Sequence, residues 1–162
     1  MEFPKILFPN SINLNNRLKD IYIREILPLI CSSSDDGNYG SAATKDIEAL
    51  QLLSRRIHFG KFVAEAKFKD PQWHHQYVSL IQNQDADGIM QLLTNRTVEE
   101  KLLVRVKRKA LIYGQEIDDQ SANDATDLKI PLQVVSDLYE KYIIPLTKDV
   151  EVAYLLRRLD WI

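Results

Sequence analysis

The sequence has little cysteine, glycine or proline, with 1, 5 and 6 of them, respectively, among 162 residues. The single cysteine, Cys31, excludes an internal disulfide and weakly favours a reducing compartment; we expect it to be buried as a small hydrophobic residue. The scarcity of glycine and proline favours helices over an all-β fold. Residues 1–162 have the usual length of one domain, and we interpret them as a single domain.

Long apolar runs and an excess of positive charge are absent as well. The net charge is −2, which argues against a nucleic-acid partner, and the basic clusters at 105–109 and 157–158 are expected to be solvated helix faces. No apolar run approaches the roughly 20 residues of a membrane helix. Two prolines interrupt residues 1–11, so these residues do not resemble a signal peptide. We therefore expect a cytoplasmic protein with no membrane partner.

Helical periodicity fills most of the chain, without strand alternation. Helices are predicted, in chain order, over residues 11–31, 41–70, 72–84, 87–93, 95–117 and 132–162. Pro71 stops the longest of these, and Pro145 must kink or split the last. The polar, acidic residues 118–128 are interpreted as a mobile loop. The fold class is therefore all-α, a bundle of long helices packed side by side.

Two cations lie on the stripe of the longest helix that is predicted to face inward. Arg56 and Lys67 are almost a whole number of turns apart, so they face the same way. They share the stripe with Leu52, Leu53, Gly60 and Val63. Because a buried cation without a partner is costly, each either pairs with a carboxylate or reaches solvent, or the two bind a small anion. Spacing alone favours the first two explanations.

The last helix carries a polar pair at i, i+4 spacing. Thr147 and Glu151 share a face that is otherwise apolar, so Glu151 is expected to be partly buried. It is either ion-paired, to Lys67 or to a surface lysine, or an acid whose raised pKa lets it donate a hydrogen bond near neutral pH.

A second pair at the same spacing, Asn95 and Glu99, stands at the start of the second long helix. Asn95 is also a suitable helix cap, and residues 97–100 match a capping box. Periodicity alone leaves open whether the two side chains point inward.

Motifs for metal, cofactor or covalent chemistry are missing from the sequence. His74 and His75 are adjacent, so they diverge on a helix and make a poor metal pair. There is no Cys-x-x-Cys, no phosphate-binding glycine loop and no credible nucleophile–histidine pair. We therefore expect neither a metal nor a cofactor.

Four stretches of the chain resemble the eukaryotic chorismate mutases, the all-helical type found in fungi and plants. In the family's order, they are DDGNYGSAATKDIEALQ, LSRRIHFGKFVAEAKF, TNRTVEEK and IIPLTKDVEVAYLLRRLD. The resemblance runs from about Pro9 to Asp160 and implies the C-terminal two-thirds of that fold. It also implies the activity of an isomerase that rearranges chorismate to prephenate in phenylalanine and tyrosine biosynthesis.

The resemblance assigns roles to six residues, all of the type that the family pattern requires. Arg56 is implied to bind a substrate carboxylate, Lys67 to reach another substrate oxygen and the ether oxygen, and Glu151 to donate, when protonated, to the ether oxygen. Three further residues are implied to hold the substrate: Asn95, Glu99 and Thr147.

The resemblance further implies a homodimer that binds an aromatic amino acid effector at its interface. The turn before the longest helix resembles part of that effector site, which places Asn38, Gly40 and Ser41 near the effector. The alternative is a simple glycine turn with Gly40 or Ser41 at the start of the helix.

Members of this family carry an N-terminal segment that we do not expect within this chain. In the family, it closes one side of the pocket, adds an arginine to the substrate site and completes the effector site. Two hypotheses follow: the chain is a chorismate mutase, or it is a non-catalytic paralogue that keeps the fold and binds a partner subunit. Normal feedback control is not expected of the chain by itself.

Overall fold

The computed structural model describes residues 6–31, 35, 37–114 and 130–161, which form helices and turns but no strand. In chain order, the α-helices are α1 (Asn15–Ile21), α2 (Leu27–Ile30), α3 (Tyr39–His58), α4 (Gly60–Lys69), α5 (His74–Gln82), α6 (Ala86–Leu93), α7 (Arg96–Gly114), α8 (Leu132–Leu138) and α9 (Ile144–Leu156). The all-α prediction is confirmed, whereas the loop predicted at 118–128 lies outside the described residues. Within the described part, no helix is long and apolar enough to cross a membrane.

Two prolines are accommodated inside helical segments by π-helical turns. Tyr22–Ile26 joins α1 to α2, and Tyr139–Ile143 joins α8 to α9. After each turn, a backbone N–H donates to the carbonyl five residues back instead of four. Pro28 and Pro145 follow directly, where their rings would clash with the fourth carbonyl back in a regular α-helix. The interruption predicted at Pro145 is therefore a π turn, and the chain stays helical through it.

The longest predicted helix, 41–70, is observed as α3 and α4 in succession, with only Phe59 between them. Phe59 keeps helical dihedral angles, φ −59° and ψ −18°, so the two helices follow each other almost as one. The helix ends at Lys69 because Asp70 is extended, as the residue before a proline usually is.

The buried stripe of α3 and α4 differs from the predicted one. Leu52 and Val63 are 62% and 41% exposed, and Arg56 is exposed as well, so the prediction of an inward row through these three residues is wrong. The buried row is centred one residue further along, or about 100° around the helix. It consists of Ile57, Gly60, Ala64 and Phe68.

Helices α3, α4, α5 and α6 pack against α9, which contributes to both hydrophobic clusters of the described core. Val152, Tyr154 and Leu155 pack in the cluster that α4, α5 and α6 form. Leu146 and Val150 pack in the second cluster, against α1 and α3. Each fully buried side chain of this size contributes about 1.5–3 kcal/mol relative to an exposed one. Burial on several sides therefore fixes α9 and the polar residues that it carries.

A buried carboxylate, that of Glu65, joins α4 to the C-terminal end of α9. It accepts hydrogen bonds from the Tyr154 hydroxyl (2.7 Å) and from Nε and Nη2 of Arg158 (2.7 and 3.1 Å), and it pairs with Lys69 (3.1 Å). Burial alone would raise the pKa of Glu65, but the donors outweigh it and hold the pKa below its ordinary value. The Arg158 guanidinium also covers the ring of Phe68, 4.7 Å from its centroid.

Two expectations about individual residues are wrong. In the cluster at 157–158, Arg157 is solvated as expected, with 65% of its side chain exposed, but the Arg158 side chain is only 17% exposed and neutralises Glu65. Cys31, expected to be buried, is exposed. The reason is its place directly after α2, where the chain leaves the helix in an extended conformation.

Close packing of α4 on α9 depends on Gly60. A β-carbon at this position would lie 2.8 Å from the backbone oxygen of Thr147 and 3.2 Å from Cγ of Glu151. The first distance is too short for a normal van der Waals contact, and a backbone oxygen cannot rotate away. Gly60 therefore determines how closely the polar residues of α9 approach α4.

Gly60→Ala is expected to destabilise the protein by about 1–2 kcal/mol, because overpacking exceeds the gain in helix propensity. The matched control is Gly40→Ala in the first turn of α3, where an added β-carbon meets no atom within 4 Å and only the propensity gain applies. Denaturant unfolding of both variants measures the difference. An unchanged unfolding midpoint for Gly60→Ala would contradict the packing argument.

Candidate active site

A cavity of about 610 Å³ lies between α3, α4, α7 and α9. It is lined by all six residues predicted to be catalytic or substrate-binding: Arg56, Lys67, Asn95, Glu99, Thr147 and Glu151. Apolar side chains such as Leu93 and Ile143 form most of the remaining wall. The fold therefore brings together polar groups that are up to 95 positions apart in the sequence.

An ion pair joins Lys67 on α4 to Glu151 on α9. Nζ of Lys67 donates to Oε2 of Glu151 at 3.2 Å and to the carbonyl oxygen of Leu93, the last residue of α6, at 3.1 Å. The Glu151 side chain is 6% exposed and that of Lys67 is 36% exposed. The ion pair considered from the sequence is thus present, and a lysine ammonium still has a third proton to donate.

The Glu151 carboxyl lies in an environment that favours its protonated form. Burial raises the pKa of Glu151 above its ordinary value, and the negative charge of Glu99 acts in the same direction. The positive charges of Lys67 and Lys148 lower the pKa, but they do not cancel the effect of burial. When protonated, Glu151 can donate a hydrogen bond as well as accept one.

Arg56, on α3, has no carboxylate partner among the described residues. Its side chain is exposed and lines the cavity, so of the two explanations that spacing favoured, pairing with a carboxylate and reaching solvent, the second holds for this cation. A guanidinium presents a planar fork of donors that matches a carboxylate with two parallel hydrogen bonds. Arg56 is therefore available to an anionic ligand.

Asn95 caps α7 and also lines the cavity. Its Oδ1 accepts from the backbone N–H of Val98 at 3.2 Å, and its carbonyl oxygen accepts from the N–H of Glu99 at 3.0 Å. Thr97 already lies inside α7, so the proposed capping box at 97–100 is wrong. Neither the side-chain NH2 group of Asn95 nor Oε2 of Glu99 takes part in these bonds.

Thr147 lies one helical turn before Glu151. Its hydroxyl donates to the carbonyl oxygen of Ile143, four residues back in the helix, at 2.6 Å. Because the hydroxyl proton is used within the helix, Thr147 can offer a ligand only two contacts. Its Oγ1 can accept a hydrogen bond, and its methyl group can make an apolar contact.

Sequence reasoning missed two charged residues that line the cavity, Asp70 and Lys148. The Nζ of Lys148 donates to Oε1 of Glu99 at 3.0 Å and to Oγ1 of Thr94 at 3.4 Å. The only signal was its position three residues before Glu151, which places the two side chains on adjacent turns. Most helix lysines are solvated, so this spacing alone gave no reason to select it.

The three residues predicted for effector binding lie away from the cavity. Asn38 occupies the cap position of α3, with Gly40 and Ser41 in its first turn, and all three are exposed. This placement agrees with the alternative of a simple glycine turn with Gly40 or Ser41 at the start of the helix, with Asn38 at the cap position. About 24 Å of helix separates residue 40 from Arg56, so any site here is separate from the cavity.

Comparison with known proteins identifies relatives along almost the whole chain. A family model described as chorismate mutase type II matches residues 38–152. Chorismate mutase 2 of Petunia hybrida is 47% identical over 159 residues, which cover 97% of this chain and 60% of the relative. The chorismate mutase of Saccharomyces cerevisiae is 46% identical over 164 residues, which cover 99% of this chain and 62% of the relative.

A solved structure has the same fold. It is a chorismate mutase from Candida albicans in complex with L-Trp, which superposes with a TM-score of 0.86 at 43% sequence identity. The match covers 99% of this chain and 59% of that one. The chain thus spans about 60% of the length of the curated relatives that it matches.

Proposed function

Since the chain belongs to the type II chorismate mutase family, we propose that it rearranges chorismate to prephenate in the cavity. One observation carries this proposal. An exposed guanidinium with no carboxylate partner in the part of the chain that the structure describes, an ammonium and a buried carboxyl with a raised pKa converge on a single, largely apolar cavity. Such a site suits a small molecule with two negatively charged groups and a third polar atom that needs hydrogen-bond donors.

The reaction needs binding and electrostatics rather than a nucleophile. In one pericyclic step, the bond between carbon and the ether oxygen breaks while a carbon–carbon bond forms. A protein accelerates such a step by holding the flexible dianion in its compact conformer and by stabilising charge on the ether oxygen. We assign Arg56 to one carboxylate, which it would bind with two parallel hydrogen bonds. Asn95, Glu99 and Thr147 are assigned to the remaining polar groups of the substrate.

Lys67 and Glu151 are assigned to the ether oxygen. The ammonium of Lys67 is held by Leu93 and Glu151, which fixes its direction before the substrate arrives. A protonated Glu151 on the neighbouring helix supplies the second donor. Two fixed donors in a largely apolar cavity stabilise developing negative charge more strongly than water does, because they need no reorganisation.

The direct test is the loss of chorismate absorbance on addition of the purified protein. We expect acceleration over buffer and a higher melting temperature with a stable transition-state analogue, because a ligand that binds only the folded state stabilises it. The absence of both effects would refute the proposal. Analogue binding without turnover is the result that a non-catalytic paralogue would give, an alternative for which the comparisons provide no support.

The wild type is expected to lose activity at high pH, and Glu151→Gln is expected to abolish this pH dependence. The folded-state pKa of Glu151 is raised, so the donating form and its contribution to stability are present at low pH and are lost as the pH rises through that pKa. A glutamine amide donates at every pH. We therefore expect kcat/KM to fall with rising pH in the wild type and to stay flat in Glu151→Gln.

The control for this pH profile is Glu140→Gln, which makes the same change of charge at an exposed position of the same helical segment. It should keep the wild-type profile. Profiles of the same shape in the wild type and in Glu151→Gln would contradict the assignment of Glu151 as the titrating donor.

We also propose an effector site for an aromatic amino acid near Asn38, Gly40 and Ser41, in a homodimer. The first turn of α3 presents unpaired backbone N–H groups that favour a carboxylate, and the Candida albicans relative is a complex with L-Trp. Binding of L-Trp or L-Tyr to the purified chain by calorimetry, weakened in Ser41→Ala, would support this site; no binding of either amino acid would count against it. The cytoplasmic location stays a prediction.

A further inference from the structure

A second ion pair lies in the cavity beside the first. Nζ of Lys148 on α9 is 3.0 Å from Oε1 of Glu99 on α7, and both side chains are largely buried and line the cavity. Lys148 also donates to Thr94 at 3.4 Å, at the end of α6. This lysine therefore holds three helices together at the cavity wall and fixes the direction of the Glu99 carboxylate.

The same ion pair lies close enough to Glu151 to affect its charge. Lys148 precedes Glu151 by three residues, so the two side chains leave α9 on the same face. The charge of Lys148 favours an ionised Glu151, and the charge of Glu99 opposes it. The other titratable groups that line the cavity are Arg56, Lys67, Asp70 and Tyr77.

We propose that the Lys148–Glu99 pair sets the pH range in which Glu151 keeps its proton, and with it the pH range of the reaction. The second half of this statement rests on the proposed function; the first half does not. Burial raises the pKa of Glu151 and Lys67 lowers it; within the pair, Lys148 lowers it further and Glu99 raises it. Lys148 is thus a positioning residue that acts through Glu99 and Glu151.

Removal of either partner leaves the charge of the other unopposed. The two substitutions are therefore expected to shift the pKa of Glu151 in opposite directions. Without the ammonium, Glu99 acts on Glu151 alone and favours its protonated form. Without the Glu99 charge, Lys148 acts alone and favours the carboxylate. A role limited to holding the helices together would lower stability in both variants but would not move one titration in opposite directions.

The experiment is a titration of the Glu151 carboxyl in the full, ligand-free chain by 13C NMR, with the resonance assigned by its loss in Glu151→Gln. We expect Lys148→Met to raise the midpoint by about 0.5–1 pH unit and Glu99→Gln to lower it by a similar amount. Where Lys148→Met does not fold, Lys148→Gln replaces it. The matched controls are Lys141→Met and Glu140→Gln, which change the same charges at exposed positions of the helical segment before α9.

The proposal is supported if the titration midpoint of Glu151 increases from Glu99→Gln to the wild type to Lys148→Met and both controls keep the wild-type midpoint. Shifts of one sign in both variants, or shifts no larger than those of the controls, would overturn it. The same order is expected in the pH profiles of kcat/KM. If the titration moves as expected but the wild type does not convert chorismate, the proposed function fails while the electrostatic coupling stands.

Discussion

Lys67→Ala is expected to lower kcat for chorismate by a factor of about 10² to 10³, the usual effect of removing one fixed donor at the site where charge develops. The effect is expected to be this large because the carbonyl of Leu93 and the carboxyl of Glu151 already hold the Lys67 ammonium in place. The substitution also removes the opposite charge that faces Glu151, so that carboxyl is then protonated over a wider pH range. Only one of the two donors to the ether oxygen would remain.

The control for this activity loss is Lys69→Ala, on the same helix. Lys69 is exposed and turned away from the cavity towards Glu65, so we expect kcat within about twofold of the wild type. Single-turnover and steady-state rates measure the chemical step for both variants. A Lys67→Ala protein with wild-type kcat and a raised KM would show that Lys67 binds the substrate without acting on the transition state.

Glu65→Ala is expected to destabilise the protein by about 3–5 kcal/mol, the range observed when one partner of a buried ion pair is removed. Arg158 then keeps its position over the Phe68 ring without a counter-charge, and the Tyr154 hydroxyl loses its acceptor. Because the folded-state pKa of Glu65 is lowered, its contribution is present above the unfolded-state pKa and is lost as the pH falls through the folded-state pKa. The difference between variant and wild type should therefore shrink in acid.

The matched control for this stability loss is Glu48→Ala. Glu48 also pairs with a lysine, Lys45, but its side chain is 54% exposed, compared with 3% for Glu65. An exposed pair of this kind contributes about 0–1 kcal/mol. Denaturant unfolding at neutral and acidic pH measures both variants, and a Glu65→Ala protein no less stable than Glu48→Ala would show that the buried cluster contributes little.

Local sequence patterns predicted the helices well because helix breakers and periodicity act over a few residues. Pro71 ends α4 as expected, and Pro145 marks an interruption whose form, a π turn, depends on backbone geometry that periodicity does not reveal. The prediction of which side of α3 and α4 faces the core was wrong. Gly60, at the tightest contact with α9, lies on both the predicted and the observed row, but the observed row continues through Ile57, Ala64 and Phe68. Periodicity does not tell which apolar side of a helix faces its neighbour.

The cavity could be predicted only in part from local spacing. The i, i+4 spacing placed Thr147 and Glu151 on one face, but it contains no information on which other helices meet that face. The grouping with Arg56 and Lys67 came from the family resemblance. Lys148 and Arg158 were missed for a common reason: whether a basic residue is solvated or buried against a carboxylate depends on contacts between helices that are distant in sequence.

The central place of α9 has a consequence for how the protein tolerates change. Both hydrophobic clusters need this helix, so its amides should be among the last to exchange with solvent, and fraying of peripheral helices leaves Thr147 and Glu151 in place. Mutations in the outer helices at positions that do not line the cavity would then reduce the fraction of folded molecules, while the folded molecules keep an unchanged site. Residues of the outer helices that do not line the cavity could therefore change without an effect on the residues of the site.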